Sequence, residues 1–193
     1  MPDLELISAC IKNDKIAKKQ FYEAFYTLLS VTALRYSKNK EQSTEMVQSG
    51  FVFLFQELHK FKAAHKSIED WVKEEFIYFC VQFVRNIRSE YYVASTVRVT
   101  DTPAKTYDLF IDSTLTDFKN VDFDVLVKSL HQLVPSQRLI FNLHVVEGYD
   151  LIKSAEILEA SEQTVKANLE KARFNLQKNI DKNNKSLKNE QFV

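Results

Sequence analysis

Two glycines and three prolines punctuate 193 residues, and that scarcity constrains the fold more than any other feature of the chain. Sheets, barrels and doubly wound folds need many tight turns, which draw on glycine for positive φ and on proline for fixed φ. A chain poor in both predicts an all-α protein. The same scarcity excludes chemistry. Gly50 and Gly148 stand alone, so no glycine-rich loop can cradle a phosphate as in P-loop or dinucleotide-binding proteins.

Other candidate sites fall for similar reasons. Cys10 and Cys80 are far apart, no Cys-x-x-Cys occurs, and their apolar neighbours predict buried thiols acting as small hydrophobes. His59, His65, His131 and His144 have no metal-ligand spacing, so no metal and no cofactor are expected. The pairs Glu69-Asp70 and Glu74-Glu75 fit a solvated face better than an acid/base dyad. No catalytic residue is assigned, and a non-enzymatic protein without a small-molecule substrate is expected. Acids near Met1 and the want of a long apolar run predict a protein without signal peptide or membrane span, hence a soluble, cytoplasmic one.

Periodicity then divides the chain. From Asp3 to about Tyr92, apolar positions spaced by three and four predict four helices. Their core includes Ile7, Phe21, Phe25, Leu28, Leu34, Val47, Phe51, Leu54, Leu58, Phe76, Phe79 and Phe83. The pattern breaks between residues 93 and 119, where Ser, Thr, Pro103 and acids predominate. The expected organisation is a helical domain over 1–93, a flexible linker over 94–120, a second helical domain over 121–182 and a polar tail over 183–193.

In the second domain the start and stop signals are explicit. Pro135 suits the first turn of a helix that runs to Val146 and ends at Gly148. Asp150 is placed to cap a helix over Leu151 to Leu158, and Ser161 to cap a last one with the apolar stripe Val165, Leu169, Ala172, Leu176 and Ile180. Two helices joined by Glu159-Ala160-Ser161 make a helix-turn-helix pattern. Between Gln163 and Lys188, seven basic residues stand against the acids Glu170 and Asp181, on a chain whose net charge is zero. That excess suits a phosphate backbone. Lysines also solubilise exposed helices, so the caps and the turn carry the helix-turn-helix reading.

These residues resemble a family. Leu133-Val134-Pro135-Ser136-Gln137-Arg138 leading to Phe141, then Glu147-Gly148-Tyr149, Thr164-Val165-Lys166 and Lys171-Ala172-Arg173, look like region 4 of RNA polymerase sigma factors of the extracytoplasmic-function class. The resemblance spans about sixty residues. The first half is similar to region 2 through Leu6-Ile7, Phe21-Tyr22, Arg35-Tyr36, Glu45-Met46-Val47-Gln48, Phe51 and Arg85-Asn86. Where the family has Asp, Ser and Gly, this chain has Glu45, Asp150 and Glu159. A non-glycine at Glu159 predicts a left-handed residue costing about 1 kcal/mol. Gly50 within a helix predicts a similar cost. Trp71 and Phe79 compete for the family's tryptophan position, which leaves the base-capturing residues unassigned.

The resemblance implies core RNA polymerase, double-stranded promoter DNA and an anti-sigma factor as partners. Glu45 and Gln48 become polymerase contacts, with Phe51 in the core. Gln163, Thr164, Lys166, Ala167, Lys171 and Arg173 become DNA-binding residues of the second domain, and Arg85, Asn86 and Arg88 those of the first. Gln163 and Thr164 would reach furthest into the groove; helix capping is the plain alternative for Thr164. Two other readings stand beside this one: a stand-alone helix-turn-helix regulator that dimerises through its first domain, and a diverged sigma-like scaffold that binds proteins alone.

Overall fold

The computed structural model describes residues 4–87 and 121–190. Among them every regular element is helical, and none of the helices is long and apolar enough to cross a membrane. The chain divides into two compact units, Met1–Val84 and Arg85–Val193. The expected linker lies outside the described residues.

The first unit comprises α1 (Leu4–Ile11), α2 (Lys15–Tyr36), α3 (Lys40–Glu57) with a closing 3₁₀ turn (Leu58–Lys60), and α4 (Ile68–Asn86). Its polar turns cap the helices that follow. The Asp14 side chain accepts from Ala17 N at 2.7 Å and Asn39 Oδ1 from Gln42 N at 2.9 Å. Ser67 Oγ accepts from Asp70 N at 3.0 Å. Each oxygen satisfies a donor that the first helical turn would otherwise leave orphaned. The interior is built on Phe21, Phe25, Leu29, Met46, Leu54, Val72 and Phe76. Cys10 and Cys80 are buried free thiols, and burial pushes the Cys10 thiol up, away from the reactive thiolate.

Aromatic packing refines the expected core. Leu28, Leu34, Phe79 and Phe83 are only half-buried. Phe79 stacks on Phe76 with centroids 6.0 Å apart and meets Phe83 and Phe53 at 5.8 and 5.3 Å. A row of rings on α4 thus shares its burial instead of each ring being enclosed. Trp71 is buried and presents an edge to Phe61 at 5.8 Å, so it serves as core. Gly50 faces this layer: a Cβ there would stand 2.2 Å from Phe76 Cε2. The Phe76 ring lying against Gly50 explains a glycine that propensity alone counts as a defect.

The second unit comprises α5 (Phe123–His131), α6 (Pro135–Phe141) continued by a π-helical turn (Asn142–Val146), α7 (Leu151–Leu158) and α8 (Glu162–Glu190). Val125, Leu130 and Leu133 pack against Ala172, Leu176 and Ile180 of α8. Arg138 is almost wholly buried. Its Nη1 donates to the carbonyls of Leu133 at 2.8 Å and His131 at 3.3 Å, which hold the α5–α6 turn in place of water.

The polar stretch from residue 183, expected as a tail, instead continues α8 to Glu190. A seam of side-chain bonds joins α8 to the rest of the unit. Asn175 Nδ2 donates to Gln137 Oε1 at 2.9 Å, and Asn179 Nδ2 to the Ser129 carbonyl at 3.2 Å. Asn183 Nδ2 donates to Ser129 Oγ at 2.8 Å and Gln132 Oε1 at 3.2 Å. Asparagines at i, i+4 and i+8 form one seam along α8, and the bonds of Asn183 carry it into the first residue of this stretch.

Candidate nucleic-acid interface

The helix-turn-helix is assembled from its caps. Val134 precedes α6 with extended backbone and Pro135 occupies its first turn, where a missing N–H costs nothing. The π turn closes through Glu147 N to the Asn142 carbonyl at 2.9 Å. Gly148 then takes φ 79°, the left-handed region that favours glycine. The Asp150 side chain accepts from Lys153 N at 2.6 Å and starts α7. His144 Nδ1 and the Tyr149 carbonyl lie 2.7 Å apart, tying the turn back to the helix before it.

Glu159 ends α7 at φ 49° and ψ 46°, as the departure from glycine predicts. Its N–H bonds back to the Glu156 carbonyl at 3.1 Å while Ala160 N reaches the Ala155 carbonyl at 3.0 Å, so α7 closes in the manner of a left-handed C-cap. Ser161 Oγ accepts from Thr164 N at 3.2 Å and lies 2.8 Å from Thr164 Oγ1. The Thr164 hydroxyl therefore belongs to the cap, while its residue stays exposed.

All six residues predicted on α8 are exposed, and Val165, Leu169 and Ala172 behind them are buried. They do not form one patch. At about 100° of rotation per residue, Gln163, Thr164, Ala167 and Lys171 share the outward arc, whereas Lys166 and Arg173 stand about 150° from Lys171 on the other edge. A helix so decorated offers polar and small side chains at its centre and cations on both sides. Phe174 is exposed within this arc, on the side of α8 opposite Leu169 and Ala172.

In the first unit Glu45 and Gln48 are exposed on α3, with Met46, Val47 and Phe51 turned inward. Gln48 and Val47 line a groove of about 240 Å³ between α2 and α3, together with Tyr22, Tyr26 and Ser30. The Tyr22 ring packs on Phe51 at 4.4 Å and on Tyr26 at 5.3 Å, so the groove wall is fixed from beneath. Arg85 and Asn86 fall in the last turn of α4, and Arg88 lies outside the described residues. Among the described residues no His, Cys, Asp and Glu side chains gather in a group able to hold a metal.

Neither a protein-family model nor a curated protein matches the sequence. Solved structures do match. The sigma factor RpoE from Bartonella quintana, determined in complex with the anti-sigma factor NepR, aligns with a TM-score of 0.51 at 17% identity, over 84% of this chain and 96% of its own. CnrH, determined in complex with the cytosolic domain of CnrY, gives a TM-score of 0.45 at 16% identity, over 91% of this chain and 95% of its own. The likeness to RpoE establishes a shared fold.

Proposed function

We propose that this chain is a transcription initiation factor of the sigma type, which binds core RNA polymerase and directs it to promoter DNA in the cytoplasm. The observation that carries the reading is the helix-turn-helix of the second unit, capped by Asp150 and Ser161 and turned by Glu159, which leaves Gln163, Thr164, Ala167 and Lys171 outward on α8. Its sigma-factor fold gives that motif a context. The first unit supplies the polymerase contact through Glu45 and Gln48, beside the groove between α2 and α3. Arg85 and Asn86 serve the promoter from the end of α4, with Arg88 beyond it. Such a factor performs no catalysis; its binding energy places the catalytic machinery of the polymerase. An anti-sigma factor is a further partner in this reading, since RpoE was solved bound to one.

The sequence-independent part of the work falls to the lysines and Arg173, which attract any duplex, and discrimination falls to the residues between them. Two weak binders on one chain raise each other's local concentration once either engages. The test is capture of the tagged full-length protein from its host with identification of the large polymerase subunits, comparing the parent with Glu45→Ala/Gln48→Ala. Both positions are exposed, so the double variant should keep its helical circular dichroism and lose most of the captured polymerase. Equal capture would remove the polymerase assignment. Binding of a repeated half-site as a dimer without polymerase would favour a stand-alone regulator.

A further inference from the structure

The exposed side of α8 does not end with the residues that a groove-reading helix uses. Thr164, Lys171, Lys178 and Lys185 recur every seven residues, with Ala167, Phe174 and Lys182 between them, and all seven are exposed. Seven residues complete almost two turns, so these side chains lie within roughly 80° of arc. The acids Glu170 and Asp181 fall to one flank of that arc and the asparagine seam to the other. A stripe without an acid thus begins at the helix-turn-helix and runs the described length of the helix.

The second observation is the seam itself. Asn175, Asn179 and Asn183 tie α8 to Gln137, Ser129 and Gln132, and Asn183 and Ile180 are buried. The turns from Asn175 to Asn183 are therefore held against α5 and α6 instead of fraying as an unpacked helix end does. Lys178, Lys182 and Lys185 sit on a fixed helix, where their charges act together without the entropy of ordering the backbone.

We infer that Lys178, Lys182 and Lys185 form a second contact surface for duplex DNA, which grips the phosphate backbone beyond the turns of α8 that enter the groove. The inference rests on the DNA-binding reading above and extends it. From Thr164 to Lys185 the helix rises about 32 Å, against a major groove about 12 Å wide. Only the first turns can reach base edges, so the distal lysines meet backbone and add affinity without sequence preference. Duplex DNA is favoured over an acidic protein surface because the stripe is continuous with Thr164 and Ala167. Whatever lies in front of those residues lies in front of the distal lysines as well.

The experiment follows binding of the full chain to a long mixed-sequence duplex at several salt concentrations, alone and assembled with core polymerase. The parent is compared with Lys178→Ala/Lys182→Ala/Lys185→Ala and with the corresponding arginine triple, and circular dichroism checks helix content. The alanine triple should flatten the plot of log affinity against log salt by about 0.9 for each real contact, up to about 2.7 in all, while the arginine triple keeps the parent slope. A parent that binds with a slope unchanged in the alanine triple would overturn the inference and leave the proposed function standing. Loss of polymerase association with an unchanged slope would assign the stripe to an acidic protein surface and overturn it too. A parent that binds no duplex in either form would overturn both.

Discussion

Replacing Gly50 by alanine sets two effects of opposite sign against each other. In a helix interior the exchange gains about 1 kcal/mol of propensity. In this packing the new methyl would stand 2.2 Å from Phe76 Cε2 and 2.8 Å from Cδ2, where ordinary carbon contacts are about 3.5–4.0 Å. Relief requires a displacement of more than an ångström. The ring cannot supply it cheaply, being fully buried and stacked on Phe79, so α3 and α4 must separate. Overpacking of this kind costs about 1–3 kcal/mol, more where nothing yields, and set against the propensity gain this leaves a net loss of up to about 2 kcal/mol. For a unit of this size that lowers Tm by about 4–8 °C per kcal/mol. Trp71 is the chain's one tryptophan and is buried on α4, so its fluorescence follows the unfolding of the first unit. Gly50→Ala should melt earlier than the parent, and the deficit should shrink in a Phe76→Leu background, where the methyl has room. A variant that melts later, with propensity unopposed, would refute the packing argument.

Two further outcomes follow from the strained and half-buried groups. Glu159→Gly should stabilise the second unit by about 1 kcal/mol, because glycine takes the left-handed conformation without a Cβ clash; no gain in far-UV thermal melts would mean the side chain offsets the backbone strain. Burial, followed by the neighbouring Glu57, holds the Glu75 carboxyl above its ordinary value of 4.5, against the lowering effect of Lys60 and Lys66. The folded state therefore holds this proton more tightly than the unfolded chain, and stability falls as pH rises from the ordinary value through the raised one. Glu75→Gln should remove that part of the pH dependence; an identical Trp71 melting profile across acidic pH would count against it.

What the sequence disclosed and what it hid divide along a physical line. Local signals were legible: Pro135 opens α6, Asp150 and Ser161 cap α7 and α8, and Glu159 takes the left-handed conformation its departure from glycine implied. Each is decided by a residue and its next few neighbours. Features that depend on distant partners were not legible. Asparagine recurs after Ile180 and is a weak helix former, and α8 persists there with Ser129 and Gln132 supplying bonds from across the unit. Gly50 looked like a defect until Phe76 was placed against it. Phe79 and Phe83 have the spacing of enclosed core yet share a half-exposed row, because periodicity gives the inward face of a helix and not how far its neighbours extend over it. The outward positions of Glu45 and Gln48 were implied by the family resemblance, whereas the separation of Lys171 from Arg173 by about 160° emerges only on the helix.

The π turn at Asn142–Val146 has a consequence for how relatives of this chain should be compared. Its i→i−5 bond, Glu147 N to the Asn142 carbonyl, accommodates one residue more than an α-helix needs for the same span. Val145 and Val146, half outside the core at 44% and 43% exposure, are where that surplus shows. A relative shorter by one residue here can regain a regular α-helix while its flanking turns stay in place. Sequence alignments will tend to push such a gap into the neighbouring Gly148 turn, where gaps look natural, and so set Glu147 and Gly148 opposite the wrong partners. Length variation in this helix is better read as a bulge that comes and goes than as a loop that changes.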